Sequence, residues 1–212
     1  MSAAQNPGLR DAGPGGGVDL ALLRRHGRAL FQVAGASIEH GLEFGRSLPV
    51  DPPHFAPELR ARRATFVTLR QDGRLRGCVG SAQACRALVA DVANNAHGAA
   101  FGDKRFAPVT ADERPGLEIS ISLLSAAEPM HCRDRPDLLA RLRPGIDGLI
   151  LEDGEHRALF LPSVWESLPE PRRFVARLLV KAGLPADHWS PGLTVSRFVA
   201  TSIGGEDLAG GN

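Results

Sequence analysis

The chain has 212 residues, of which 43% are hydrophobic and 23% are charged. This composition is typical of a globular protein with one substantial core, or of a main lobe that carries a smaller one. Its formal net charge of +1 and the lack of any run of roughly 18 apolar residues argue against nucleic acid and membrane as partners.

A first helix is predicted over residues 19–40, where apolar side chains recur at helical spacing and Gly41 is placed to end it. After a proline-rich connector, the segment "RRATFVTLR" (62–70) is typical of a β-strand. Asp72-Gly73 follows this strand and is a strong signal for a two-residue hairpin turn.

Four more elements follow along the chain. They are an Ala-rich helix from about Ala84, an alternating strand "GLEISISLLS", a second hairpin turning at Asp153-Gly154, and a helix ended by Gly183. A last strand is predicted at "LTVSRFVA". Because hairpins dominate and no nucleotide-binding glycine loop is present, we expect an α+β fold with a largely antiparallel sheet.

The two ends of the chain are rich in Gly, Pro and Ala. We therefore expect a disordered leader over residues 1–18 and a flexible tail over residues 203–212, with one domain of two lobes between them. The first residues lack the apolar stretch of a secretory signal. Cys78, Cys85 and Cys132 lack metal-ligand spacing, which favours free thiols in the cytoplasm, no metal and no cofactor.

Cys78 lies on the second strand of the first predicted hairpin, between two glycines. The turn places Val67 opposite Cys78. Arg76, two residues away, would then share the face of the thiol and favour the thiolate. Gly77 and Gly80 would leave room beside the thiol for another backbone or for a ligand. The alternative is that Cys78 is a small apolar residue that packs in a core. In this register one face of the hairpin carries Cys78, Arg76, Arg74, Leu69 and Val67. The other face, which we expect to pack in the core, carries Phe66, Leu75 and Val79.

Several segments, taken together, resemble the AMMECR domain family, whose bacterial and archaeal members are called AmmeMemoRadiSam system protein A. They are "ARRATFVTLRQDGRLRGCVGS", "NNAHGAAFGDKRFAPVTADE", "LEISISLLSAAEP", "LRPGIDGLIL", "LFLPSVWE" and "FVARLLVKAGLPADHW". The most specific is "LRGCVG", usually met as LRGCIG. The resemblance spans about Leu20 to Val199. It implies a two-lobed α+β fold with a cleft between the lobes, and a Memo-like protein and a radical SAM protein as partners.

The resemblance also implies a set of functional positions. They are Arg76, Gly77, Cys78, Gly80, Asn95, Asp103, Arg105, Phe106, Glu118, Pro162, Trp165, Lys181, Gly183 and Trp189. The chain departs from the family pattern at Ser163, where glutamine is usual, and at Lys104, where proline is common. The first departure puts any contact made by the glutamine amide in doubt.

Most of these positions also have a structural explanation. Asp103 and Arg105 could form a surface ion pair, and Asn95 could hold a backbone loop. Glu118 could lie on the solvent-exposed face of a sheet, and Lys181 could face the negative end of a helix dipole. The two tryptophans could be core or interface anchors.

Two functions remain open from the sequence. The first is a thiol-dependent enzyme or accessory subunit that acts on a small acidic or carbonyl compound. Cys78 would be its nucleophile, Arg76 and Arg105 its charge stabilisers, and Glu118 or Asp103 its acid–base group. The second is a non-catalytic protein that docks the Memo-like or radical SAM partner, with Cys78 structural. The first function requires the stretch 103–106 to fold back over the hairpin, with Phe106 as its apolar anchor.

Overall fold

The computed structural model describes residues 16–205 and residue 207. This part of the chain has two compact units: unit 1 comprises residues 16–124 and the described residues from 201 onward, and unit 2 comprises residues 125–200. Two four-stranded antiparallel sheets and five α-helices are present within it, so the predicted α+β class is confirmed. None of the described helices is both long enough and apolar enough to cross a membrane.

The helices and strands alternate irregularly along the chain. In order they are α1 (Gly16–Phe44), α2 (Pro57–Arg60), β1 (Thr65–Gln71), β2 (Arg74–Gly80), α3 (Leu88–His97), β3 (Leu117–Leu124), β4 (Glu128–Pro129), α4 (Arg135–Arg141), β5 (Gly148–Asp153), β6 (His156–Phe160), α5 (Pro171–Lys181), β7 (Thr194–Phe198) and β8 (Ala200–Gly204). The predicted last strand is therefore two strands, β7 and β8, which belong to different sheets.

Unit 1 packs α1 and α3 against one face of a sheet with strand order β2-β1-β3-β8. Its core is built from the periodic apolar residues of these elements, including Leu30, Val92 and Ile121, all fully buried. Helix α1 runs past Gly41, where it was predicted to end, and stops before Gly45. Gly45 has φ +69°, a conformation that glycine adopts at little cost. Gly41 instead lies where a side chain would collide with the ring of His97.

The first hairpin confirms the predicted turn but not the predicted register. Asp72 and Gly73 have φ values of 52° and 72°, as a two-residue turn with both central residues left-handed requires. A β-bulge then shifts the pairing between Leu69 and Arg70, so that Cys78 lies opposite Thr68 and not Val67. One extra residue in a strand reverses which face each later side chain occupies.

The shifted register corrects the predicted faces of the hairpin. Val67 and Leu69, which were expected to lie beside the thiol, are fully buried in the unit 1 core. Leu75, which was expected in the core, is 38% exposed. Thr68 and Cys78 therefore lie on the sheet face opposite the helices.

Unit 2 has the strand order β4-β7-β5-β6, and α5 packs on its core with Phe174 and Leu178 fully buried. In its hairpin Asp153 pairs with His156, so the turn residues are Gly154 and Glu155, one position later than predicted. Gly154 has φ +59° and Gly183, which ends α5 as predicted, has φ +82°.

Both ends of the described chain extend beyond the predicted domain. Helix α1 begins at Gly16, inside the predicted leader, and β8 continues to Gly204, inside the predicted tail. Ile203 is 1% exposed and belongs to the unit 1 core, so this part of the predicted tail is a strand. The remaining parts of the predicted leader and tail, residues 1–15, 206 and 208–212, lie outside the described residues.

Candidate functional site

Cys78 lies half-buried on the polar face of the unit 1 sheet. Across the strands it is paired with Thr68, and Thr68 is paired with Ser120. The Thr68 hydroxyl donates a hydrogen bond to Cys78 Sγ over 3.3 Å. In the next row Ser122 and Ser202 are joined through their hydroxyls at 2.7 Å. The thiol thus belongs to a sheet face rich in hydroxyl groups.

The stretch after α3 folds back onto β2, as the sequence-based hypothesis requires. Asp103 Oδ2 accepts a hydrogen bond from the backbone N–H of Cys78 at 2.9 Å. The same carboxylate holds Arg105 in a two-point ion pair, with Nε to Oδ1 at 2.9 Å and Nη2 to Oδ2 at 2.7 Å. The Asp103 side chain is 7% exposed and the Arg105 side chain 58%. The Arg105 guanidinium also lies 5.5 Å from the centre of the Phe106 ring.

The charges of this pair are fixed by its geometry. The hydrogen bond from Arg105, followed by the backbone N–H groups of Cys78 and Arg105 itself, holds the pKa of the Asp103 carboxyl well below its ordinary range. Asp103 raises the pKa of Arg105 in turn, with a smaller contribution from Cys78. Asp103 is therefore a permanent carboxylate at neutral pH, which suits a positioning role and not the acid–base role predicted for it.

A π-helical turn over Gly98–Gly102 delivers Asp103 to β2. Such turns occur mostly as single turns and often at functional sites. This turn lies so close to β2 that a methyl group at Gly77 would be 3.0 Å from the Ala99 carbonyl carbon and closer still to its oxygen. A side chain at Gly80 would collide with the Phe66 ring. The space beside both glycines is thus filled by protein atoms, which corrects the expectation that it is open to a ligand.

Arg76 has a different role from the one predicted. Its guanidinium forms a two-point ion pair with Glu113, at 2.7 Å and 3.0 Å, and donates to the carbonyls of Ala107 and Pro108. Arg76 and the backbone N–H of Thr110 lower the pKa of Glu113 to about 2. Because these contacts use each nitrogen of the guanidinium, Arg76 anchors the 107–113 loop and is not placed to stabilise the thiolate.

Glu118 lies on the same sheet face as Cys78 but not beside it. It is exposed and pairs with Arg70 of β1. It therefore lies two strands away from Cys78 and two residues further along its strand. Strand spacing and rise place the two backbones about 12 Å apart, beyond direct proton transfer. The predicted acid–base role of Glu118 at this thiol is therefore not supported by the geometry.

Asn95 is 5% exposed and holds the unit 1 core together. Its side-chain nitrogen donates to the backbone and hydroxyl oxygens of Thr65 and to Asp91, at 2.9–3.0 Å. Asp91 is fully buried and also accepts from Thr65 and Ser81. Buried polar groups are stable only when paired in this way, so Asn95 has the structural role and not the ligand-binding role.

Trp165 and Lys181 belong to unit 2. Trp165 is 4% exposed, stacks on Phe174 with ring centres 3.8 Å apart, and donates its indole N–H to the Asp147 carbonyl at 2.7 Å. Lys181 Nζ donates to the Leu159 carbonyl at 3.0 Å. Trp165 is therefore a core anchor of unit 2. The side chain of Lys181 remains exposed although it makes this hydrogen bond.

The three thiols have distinct surroundings, and none is in a disulfide. Cys85 is exposed, whereas Cys132 is half-buried in unit 2, where burial and then Asp137 raise its pKa. No group of three His, Cys, Asp or Glu side chains in the described residues could hold a metal ion. Cys78 accepts a hydrogen bond from a threonine hydroxyl, and both Cys78 and Cys132 have an arginine nearby, Arg105 and Arg141 respectively.

Sequence reasoning missed two residues of this site, Thr68 and Glu113. Thr68 could have been found from β1 itself, where Val67 and Leu69 are apolar and Thr68 and Arg70 are polar. This alternation puts Thr68 on the open face without reference to the turn. Glu113 had no local signal, because it is 37 residues from Arg76.

Comparison with known proteins agrees with this architecture. The family model AMMECR1 matches residues 31–203. A protein of Methanothermobacter thermautotrophicus is 36% identical over 185 residues, covering 84% of this chain and 94% of its own. One of Methanopyrus kandleri is 30% identical over 198 residues, covering 89% and 93%. The crystal structure of an uncharacterised protein from Pyrococcus horikoshii superposes with a TM-score of 0.79 at 31% identity, covering 88% of this chain and 95% of that one. As its motifs predicted, the chain belongs to the AMMECR1 family.

Proposed function

We propose that unit 1 binds a small carbonyl compound with an acidic group and forms a reversible adduct with it at Cys78. The observation that carries this proposal is the double use of Asp103, which binds the Cys78 backbone N–H and the Arg105 guanidinium at once. A nucleophile and a cation are thereby held on adjacent parts of one surface. This is the arrangement that an anionic electrophile requires.

The chemistry is addition of the thiol to the carbonyl group. The sulfur of Cys78 forms a bond to the carbonyl carbon, the π-electron pair moves to the oxygen, and the thiol proton ends on that oxygen. The product is a hemithioacetal and no oxidant or reductant is needed. The Thr68 hydroxyl donates a hydrogen bond to Sγ and so holds the sulfur in a fixed position on this sheet face.

Arg105 would bind the acidic group of the compound. Its side chain is 58% exposed, and in the described part of the chain its hydrogen bonds go to Asp103 through Nε and Nη2. Nη1 is then the nitrogen left for an external carboxylate, to which a guanidinium binds well. Asp103 keeps Arg105 in place and remains ionised throughout.

The surroundings of the thiol favour no chemical step beyond addition. Glu118 is about 12 Å away at the backbone, and Asp103 cannot serve as an acid at neutral pH. A reversible thiol adduct needs neither residue, whereas hydrolysis or group transfer needs a positioned acid or base.

The alternative is a non-catalytic protein that docks another protein, such as a Memo-like or radical SAM partner. The filled space beside Gly77 and Gly80 favours this alternative, because it explains both glycines by packing alone. The hydroxyls of Thr68, Ser120 and Ser122, in two adjacent rows of one sheet face, would also suit a protein surface. Cys78 would then be one contact among several.

Alkylation by two reagents of different charge tests the proposal. Iodoacetamide is neutral and iodoacetate is an anion, so a cation beside a thiol accelerates the second reagent selectively. A unit charge about 7 Å away in water contributes about 0.6 kcal/mol, or roughly threefold in rate. Because Asp103 contacts both Cys78 and Arg105, its carboxylate offsets the charge of Arg105 in wild type. We therefore expect the ratio of iodoacetate to iodoacetamide rates at Cys78 to fall about threefold when Arg105 alone is neutralised, as measured by mass spectrometry with exposed Cys85 of the same protein as the internal reference.

Two variants complete the design. Arg105→Gln leaves the Asp103 carboxylate without its partner and should lower the rate ratio at Cys78 about threefold below the wild-type value, and Thr68→Val should slow both reagents there. Arg74→Gln, an exposed arginine on the same strand, is the matched control and should leave the ratio unchanged. If native Cys78 reacts with neither reagent until the protein is unfolded, the thiol chemistry is wrong and the docking alternative stands.

A further inference from the structure

Helix α5 in unit 2 presents a continuous basic face to solvent. At 3.6 residues per turn, one half of its surface carries Phe174 and Leu178, which are fully buried. The other half carries four basic side chains and one large apolar one. They are Arg172, Arg173, Arg177, Lys181 and Val180, all of them exposed.

The arginines of this face differ from the other arginines of unit 2. Most of the latter are in ion pairs: Arg133, Arg141, Arg143, Arg157 and Arg197. Arg172, Arg173 and Arg177 have no acidic partner among the residues that the structure describes. Their charge is thus available to an external group.

Two of these arginines stand where a positive charge lowers helix stability. Arg172 and Arg173 lie in the first turn of α5, which carries no acidic residue. The positive end of the helix dipole is at this turn, and acidic side chains are the stabilising choice there. The acidic residue at this end is Glu170 at the N-cap, which makes no capping hydrogen bond through its side chain. A sequence that breaks a local rule often does so at a functional site.

We infer that the outer face of α5 is a docking surface for an acidic segment of a partner protein. Val180, which is 50% exposed, lies at the centre of the basic half of the helix. An apolar centre within a charged rim is the usual anatomy of a protein interface. The partner segment would carry two or three carboxylates around one aliphatic side chain.

Other anionic partners fit this face less well. Insertion into a membrane surface needs a broad apolar face, and here Val180 is the one large apolar side chain on the exposed half of the helix. Nucleic-acid binding by a helix is usually accompanied by a strongly basic protein, but the net charge is +1. A protein segment therefore remains the occupant that matches both charge and shape.

The test uses the full chain and a short fluorescent peptide with Glu at i, i+4 spacing and one Leu on the same face. We expect saturable binding by fluorescence anisotropy that weakens as salt is raised. The triple variant R172E/R173E/R177E should lose about tenfold or more in affinity. Val180→Asp, tested separately, should also weaken the binding.

A charge-matched control separates the α5 face from net charge. The variant R24E/R28E/R74E changes three exposed arginines of unit 1 and should retain affinity within about threefold. The α5 triple variant should melt no lower than wild type, since two of its three new carboxylates, at positions 172 and 173, lie in the first turn, where they are stabilising.

Three results would overturn the inference. They are no binding of the peptide by wild type, equal losses in the two triple variants, or a loss specific to α5 that appears only with phosphatidylserine vesicles or single-stranded DNA. None of these results depends on Cys78, so the proposed function can fail or stand independently.

Discussion

Gly77→Ala tests the contact that holds the π-helical turn against β2. A methyl group there would lie 3.0 Å from the carbonyl carbon of Ala99 and closer still to its oxygen, whereas carbon atoms pack best at about 3.5–4.0 Å. Relief of the contact with the oxygen requires β2 and the turn to separate by more than roughly 1 Å, against backbone and not against a flexible side chain. Overpacking of this kind costs typically 1–3 kcal/mol, and we expect the upper part of that range, about 2–3 kcal/mol.

Urea unfolding followed by far-ultraviolet circular dichroism measures this loss. Tryptophan fluorescence would not, because Trp165 and Trp189 both belong to unit 2. The matched control is Gly102→Ala in the same π-helical turn, where nothing lies within 4 Å of the new methyl group. We expect that variant to be neutral or up to about 1 kcal/mol more stable. If Gly77→Ala unfolds within about 0.5 kcal/mol of wild type, the turn is not packed against β2 as described.

Two further variants test other parts of the fold. Trp165→Phe removes the N–H that donates to the buried Asp147 carbonyl and should lower the free energy of unfolding by about 1–3 kcal/mol; an unchanged urea midpoint would contradict this. The ion pair between Glu113 and Arg76 depresses the pKa of Glu113 from 4.5 to about 2, so its stabilising effect is complete above pH 4.5 and is lost as the pH falls toward 2. The stability difference between wild type and Glu113→Gln should shrink over that window, and a difference that is constant with pH would show that the pair does not stabilise the fold.

Local signals in the sequence predicted the elements of unit 1 but not the pairing between them. Asp72-Gly73 specified its turn because both positions need positive φ. The bulge that follows has no comparable signal, since Arg76 is an ordinary strand residue in sequence. What selects it is long-range packing: the shift pairs Gly77 and Val79 with Leu69 and Val67, and Val79 then packs against the unit 1 core.

The contacts of the candidate site were likewise only partly predictable from the sequence. The fold-back of Asp103 and Arg105 toward Cys78 was inferred from a motif and is present in the structure. The role of Arg76 was inferred from its distance along the strand. It was wrong because Glu113, far away in sequence, is a stronger partner than a thiol. The long-range contact that a family motif marks was predictable, whereas the ion pair of Arg76 with Glu113, which no motif marks, was not.

The division of unit 1 into two stretches of chain has a consequence for the order of its assembly. The hydroxyls of Ser122 and Ser202 meet across 80 residues, and the whole of unit 2 is encoded between them. During synthesis the strands of unit 2 leave the ribosome as one continuous block, while β3 still has an unpaired edge that other nascent chains could bind. Strand β8 covers that edge only after translation has passed residue 200. Unit 1, whose synthesis begins before that of unit 2, is therefore completed after it.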